Sequence, residues 1–395
     1  MYLKWTFYFT LVSLAVLVCS HSLLSFTESK NEQIERYIAQ ASRKYDPLGV
    51  EYLKLVELSE SLSDAQALSL RKQGYPHFAI EWAIRLIKQQ QYEQAWLLIK
   101  QYWPSAGKPI QVRLLKQLDL QNHYQLISNI FADYPTIEPY YTTAQLAQGV
   151  DPDKLSTEVL SQINVVTLDM LHGKQNDCAH QIILLGDTLK STLQLTHIKA
   201  KYQKSALAKQ LPYCLSDPIY VGKSVACTGS EKAFIRCNLA KVAHAKSLAE
   251  ARHVVVMTEL PGLANVRHGI MSLNSSHEFE LFVHELMHFS YFEDEYPIPQ
   301  EKAKWLCAAP GLKAPNLYVG EHPPQDWYPS KTCMHGKLPS YKPSHTLSKM
   351  EYHAINLSNQ YLGLWLKALE QSLMAPSDFQ VYHHKLVNAY PALVK

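Results

Sequence analysis

From Asn31 to about Val150, apolar residues return every three or four positions and no stretch alternates between polar and apolar. That spacing is the period of a helix face, so this part of the chain is expected to be all-α, with no strand to offer a sheet. "AIEWAIRLIKQQQYEQAWLLIKQYWP", from Ala79, is its clearest run. The remainder has a different character. All six cysteines beyond Cys19 follow "PTIEPYYTTAQLAQGVDPDKLSTE" (Pro135 to Glu158), a polar, proline-interrupted stretch that reads as a boundary. A chain of 395 residues, 47% hydrophobic, can bury two separate cores. The expected fold class is α+β overall and mostly helical. An all-α domain of helical hairpins covers residues 28–150, and a disulfide-bearing α+β domain covers residues 160–395.

Within the helical part, "YEQAWLLIKQYWP" from Tyr92 is echoed by "YQLISNIFADYP" from Tyr124. An early Tyr, small or apolar residues after it, a closing Pro and a spacing close to one repeat period resemble tetratricopeptide helical hairpins. The resemblance covers about two units and implies a surface for a protein partner.

The first 20 residues have the form of a secretory signal peptide: Lys4, an apolar run from Trp5 to Val18, then Val18-Cys19-Ser20. Apolar residues resume at Leu23, Leu24 and Phe26, so an uncleaved anchor is the rival reading, and membrane attachment follows only in that case. Val18 is too bulky for the position before a lipidated Cys19. Export places the protein in the periplasm or outside the cell. There, an even number of widely spaced cysteines without C-x-x-C implies disulfides rather than a zinc–thiolate cluster. The expected pairs are Cys227–Cys237 across "CTGSEKAFIRC", Cys307–Cys333 across a proline-rich loop, and Cys178–Cys214 by default. The net charge of +3 comes from scattered Lys and Arg with no basic stripe, which argues against a nucleic-acid partner.

The chemistry gathers late in the chain. "HVVVMTE" (His253 to Glu259) reads as a buried strand and "VRHGIMSL" (Val266 to Leu273) as a second strand interrupted by Gly. "NSSHEFELFVHELMHFSYF" then opens a helix, with Ser275 and Glu278 spaced as a capping box. At 100° per residue, Phe279, Phe282, Val283, Leu286 and Met287 share one apolar arc. His284 and His288 fall about 40° apart on the other side, with Glu285 beside them. With 18 histidines, chance alone produces one H-E-x-x-H in about four such sequences per hundred. The helix geometry makes this instance a candidate metal site, since two imidazoles one turn apart can reach one cation.

His284-Glu285-x-x-His288 after a strand resembles the zincin metallopeptidases, from about His253 to the C-terminus. In that family a mixed sheet precedes the active-site helix, and its edge strand pairs with the substrate backbone. The resemblance implies Zn2+ held by His284, His288 and a third protein ligand, Glu285 as general base, and a peptide or protein substrate. No His stands at the position after His288 where the metzincins place one. The gluzincin pattern points to Glu351 in "EYHAIN", expected on a later helix that faces the first. Asp294, Glu293, Glu295 and Glu301 are the alternative third ligands. His335, His345, Tyr382, His383 and His384 are candidate oxyanion donors, and the loop between Cys307 and Cys333 is expected to cover the cleft. The competing expectation is a non-catalytic helical scaffold or envelope assembly factor whose zinc site is structural or vestigial.

Overall fold

The computed structural model describes residues 29–41, 49–170, 180–370 and 379–389. The leader segment, Cys178 and therefore the Cys178–Cys214 pairing lie outside the described residues. The chain divides into two compact units between Ile137 and Glu138. Each is mixed or helical as its residue periods dictate, and the whole is α+β with helix predominating.

The first unit is helical throughout its described residues. Helices Pro76–Lys88 and Tyr92–Tyr102 recur as Lys108–Leu120 and Tyr124–Asp133, every boundary but the last displaced by the same step along the chain. The linking turns repeat as well. Gln90 and Asn122 both adopt positive φ (62° and 57°). Gln91 N donates to Leu86 O at 2.8 Å, just as His123 N donates to Leu118 O at 2.9 Å. Both turns use the left-handed exit that satisfies the last carbonyls of a helix. Buried Glu81 accepts from Arg85 at 3.2 Å and Arg113 at 3.0 Å, so one carboxylate ties the two repeats together.

The strands of the second unit begin with β1 His180–Gly186, β2 Tyr213–Tyr220, β3 Ala226–Ser230 and β4 Ala233–Asn238. They continue with β5 His253–Thr258, β6 Asn265–Arg267 and β7 Ile270–Asn274. Five of these form one sheet in the order β2-β1-β5-β7-β6. Four strands run parallel, and β6 pairs antiparallel with β7 at the edge. All six residues of β5 are buried, as a parallel strand covered on both faces requires. On one face Leu184, Val255, Met257 and Leu273 meet Phe282, Val283, Leu286 and Met287 of the helix Phe279–His288, together with Trp365. On the other, Ile183, Leu185, Val254 and Val256 meet Leu239, Leu248, Phe379 and Leu386.

"VRHGIMSL" is not one strand but the heart of a hairpin. His268 and Gly269 both take positive φ (55° and 72°), which closes a two-residue turn between β6 and β7. A Cβ on Gly269 would stand 2.4 Å from Phe379 N, so the turn also requires the missing side chain. A second hairpin, β3–β4, sets Cys227 opposite Cys237, and the two are disulfide-bonded. Cys307 and Cys333 are bonded as well, beneath a four-stranded sheet of short strands. No described helix is long and apolar enough to cross a membrane.

His253 stacks on Phe289, centroids 4.1 Å apart, and its buried Nδ1 finds no hydrogen-bond partner among the described residues. Burial, then the charges of Arg252 and His180, lower its pKa to about 3. The unfolded chain therefore binds a proton below about 6.5 that the folded chain refuses, and stability falls as pH falls through that window. At pH 5 the loss from His253 alone is about 2 kcal/mol. Urea denaturation at pH 7 and pH 5 should show His253→Phe losing less stability on acidification than the parent; equal losses would refute the assignment.

Candidate metal and catalytic site

The motif helix starts at Phe279, later than the capping-box expectation. Glu278 is its N-cap and makes no side-chain cap bond. Asn274 takes over the turn instead: its Oδ1 accepts from Ser276 N at 2.7 Å, and its own N–H donates to His277 Nδ1 at 3.0 Å. The polar side of the helix is also enclosed, with His284 at 4% and Glu285 at 5% exposure. The enclosing segment is Ser348–His353, which reaches over from later in the chain: His284 Nδ1 lies 2.8 Å from Lys349 O, and Lys349 Nζ lies 2.7 Å from His353 O.

Past His288 the chain turns sharply. Tyr291 holds a positive φ of 62°, and Phe292 O comes back to within 2.6 Å of His288 Nδ1. A carbonyl can only accept, so both histidines must carry their proton on Nδ1 and aim Nε2 away from it. Into the space those nitrogens face comes Asp294, whose Oδ1 is 3.4 Å from His284 Nε2 and 3.3 Å from His288 Nε2. The three ligand atoms lie within 4.8 Å of one another. Buried Oδ1 of Asp294 and Oε2 of Glu285 complete no hydrogen bond among the described residues.

Electrostatically this is a focus for positive charge. Burial opposes a charged His288, yet the charges of Asp294 and Glu285 prevail and its pKa is pushed up to about 9. Burial would raise the pKa of Asp294, but His288 and His284 hold its carboxyl well below the usual carboxylate range. Glu285 moves the other way: burial pushes its carboxyl up against the pull of the two histidines.

Of the five acids weighed as third ligand, the structure brings only Asp294 to the imidazoles. Glu351 does not stand on a helix, because the next helix begins at Asn359. Ser348 Oγ accepts from Met350 N (3.1 Å) and Glu351 N (3.2 Å), winding the segment into a turn, and the Glu351 carboxylate pairs with Lys342 at 2.5 Å. Glu293 points to Lys302 at 2.5 Å, and Glu301 to Lys304 at 2.6 Å on the surface. Glu295 is buried elsewhere, accepting from Asn316 Nδ2 at 2.8 Å and Tyr361 Oη at 2.6 Å. Its network clamps the loop that carries Asp294. Asn316 accepts from Glu293 N at 3.0 Å and donates to Glu293 O at 2.8 Å, while Thr332 Oγ1 donates to Asp294 O at 2.7 Å. Asp294 is thus held on both sides.

The cluster opens into a cavity of about 770 Å³. Of the proposed oxyanion donors only His335 lines it. His383 Nε2 donates to Ala243 O, Tyr382 stacks on His268, His384 lies beside Asn388, and His345 lies beside Tyr328. Tyr296, Tyr352 and His353 also line the cavity, and sequence reasoning assigned them no role. For Tyr296 the signal was its place two residues after Asp294; burial and then the Asp294 charge push its phenol above the ordinary range. Comparisons with family models, with curated proteins and with solved structures give no match.

Proposed function

We propose that this chain is an exported zinc-dependent peptidase with His284, His288 and Asp294 as the metal-holding residues. The observation that carries the reading is the convergence of two oriented Nε2 atoms and one buried carboxylate oxygen, with the glutamate of the motif beside them. Two imidazoles and a carboxylate suit zinc, and three protein ligands are the number that leaves a position for catalysis. Asp294 Oδ1 and Glu285 Oε2, which complete no hydrogen bond among the described residues, are what a cation and its water would satisfy. Bound there, zinc would polarise a carbonyl and lower the pKa of a water to about 7.

The chain's own groups would do the rest. Glu285 is the general base: its carboxyl, raised by burial, takes the proton of the attacking water and returns it to the leaving amine. Tyr296, Tyr352 and His335 stand around the same cavity as donors for a developing oxyanion. The mixed sheet with an antiparallel edge strand ahead of the motif helix supports the zincin resemblance. The two disulfides suit an oxidising compartment. The repeated helical hairpins of the first unit would supply the surface for a protein partner.

The test is metal analysis of the purified protein followed by a broad peptide screen. About one zinc per chain is expected for a single three-ligand site. Cleavage should disappear on chelation and return with added zinc. A chain that holds zinc and cleaves nothing would be the non-catalytic scaffold instead.

A further inference from the structure

We propose that Phe234 and Leu263 form a subsite that selects peptides carrying a bulky apolar side chain such as Leu or Phe. This inference rests on the peptidase reading of the cleft. Both residues line the cavity that His284, Glu285 and Asp294 line. They are 44% and 46% exposed, which is costly for large apolar groups unless something covers them.

Their exposure is built into the scaffold. Phe234 and Leu263 face each other across a parallel bridge between β4 and the segment leading into β6. Ile235 N donates to Leu263 O at 3.0 Å, and Leu263 N to Ala233 O at 2.9 Å. Asn265 Nδ2 adds a bond to Ile235 O at 2.7 Å. Residues opposite each other on paired strands project to the same face, so the two side chains make one shelf. Ile235, next to Phe234 on the same strand, is fully buried and anchors the shelf from behind. The hairpin can come this close only because of two glycines. A Cβ on Gly229 would meet Pro261 O at 2.5 Å, and one on Gly262 would meet Ile235 Cγ1 at 2.6 Å. The Cys227–Cys237 bond locks the hairpin that carries Phe234.

Leu281, Pro297, Ile298 and Pro299 are also among the lining residues. Among the described lining residues there is no Lys or Arg to meet an acidic side chain. An apolar pocket with a few convergent polar groups at one end is the form in which side-chain selection and chemistry are combined. The side chain of an apolar residue would displace water from the Phe234–Leu263 shelf while the peptide backbone reaches the histidines.

The experiment uses the full chain and two internally quenched peptides that differ only in Leu against Ala at one position, scanned along the sequence. In the parent protein, kcat/KM should favour the Leu peptide at one position. In Phe234→Ser and in Leu263→Ser that ratio should fall about tenfold, the scale of an apolar side chain's contribution to selection. A ratio within twofold of the parent value in both variants would overturn the subsite. Circular dichroism melting checks that these exposed positions have not unfolded the protein. If the parent cleaves neither peptide, the peptidase reading fails on its own. The subsite is then judged by fluorescence anisotropy with the same peptides, dye-labelled. A Leu preference lost in the two variants supports it, and equal binding of both peptides by the parent overturns it.

Discussion

Asp294→Ala is expected to lose zinc, while Glu351→Ala is expected to keep it. The two substitutions separate the acid that the fold brings to the imidazoles from the one that residue spacing favoured. Removing an outer-shell partner costs about 10–100-fold in metal affinity, so loss of a direct ligand should cost more than about 100-fold. Zinc content after dialysis should fall from about one per chain towards zero in Asp294→Ala. Glu351→Ala has a different signature. Lys342, only 5% exposed, would lose its nearest counter-charge and keep Glu295 at 3.5 Å. A buried charge left poorly paired costs about 3 kcal/mol, read as a lower midpoint in urea denaturation. Metal content therefore separates the two: one variant should lose its zinc, and the other should lose stability with its zinc intact. Unchanged zinc affinity in Asp294→Ala would sink the assignment of the third ligand.

Why the approach of Asp294 to the histidines was hard to read from the sequence is a matter of backbone. The acidic triplet Glu293-Asp294-Glu295 stood close to the motif, but using it requires the chain to reverse soon after His288. Tyr291 makes that reversal in a left-handed conformation that a non-glycine residue adopts at some cost, so no Gly or Asn announced it. Alternation cannot tell the three acids apart either: Glu293 is drawn off by Lys302, and Glu295 by Asn316 and Tyr361, which are distant in sequence. Glu351 lies off the expected helix for the opposite reason. Its neighbours have a helical spacing, but the Ser348 hydroxyl competes for the first backbone N–H groups and fixes a turn. Features that rest on near neighbours were legible. The H-E-x-x-H helix, the β5 run and the paired cysteines of the β3–β4 hairpin each depend on residues close together in the chain. The apolar arc was legible too, while the burial of the opposite face was not, because Ser348–His353 covers it from a distant part of the sequence.

Glu285→Gln should abolish peptide cleavage while leaving metal and fold in place. General-base catalysis contributes about 10²–10⁴-fold, and the amide cannot accept the proton, so kcat should fall by about three orders of magnitude. Zinc content should not change, since Glu285 is not among the three converging ligand groups. The stability of the metal-free variant gives an independent check of the site's electrostatics. Burial raises the Glu285 carboxyl in the folded protein, so above the ordinary carboxylate range the unfolded chain gives up a proton more readily than the folded one. The ionised side chain therefore destabilises the metal-free fold progressively as pH rises above about 4.5. A neutral amide of the same shape escapes that penalty. The metal-free variant should melt at the parent's temperature or higher at pH 7, with the advantage shrinking on acidification. A chain that cleaves within tenfold of the parent after this substitution would show that the buried carboxyl is not the base, and the peptidase mechanism would need another proton acceptor in the cavity.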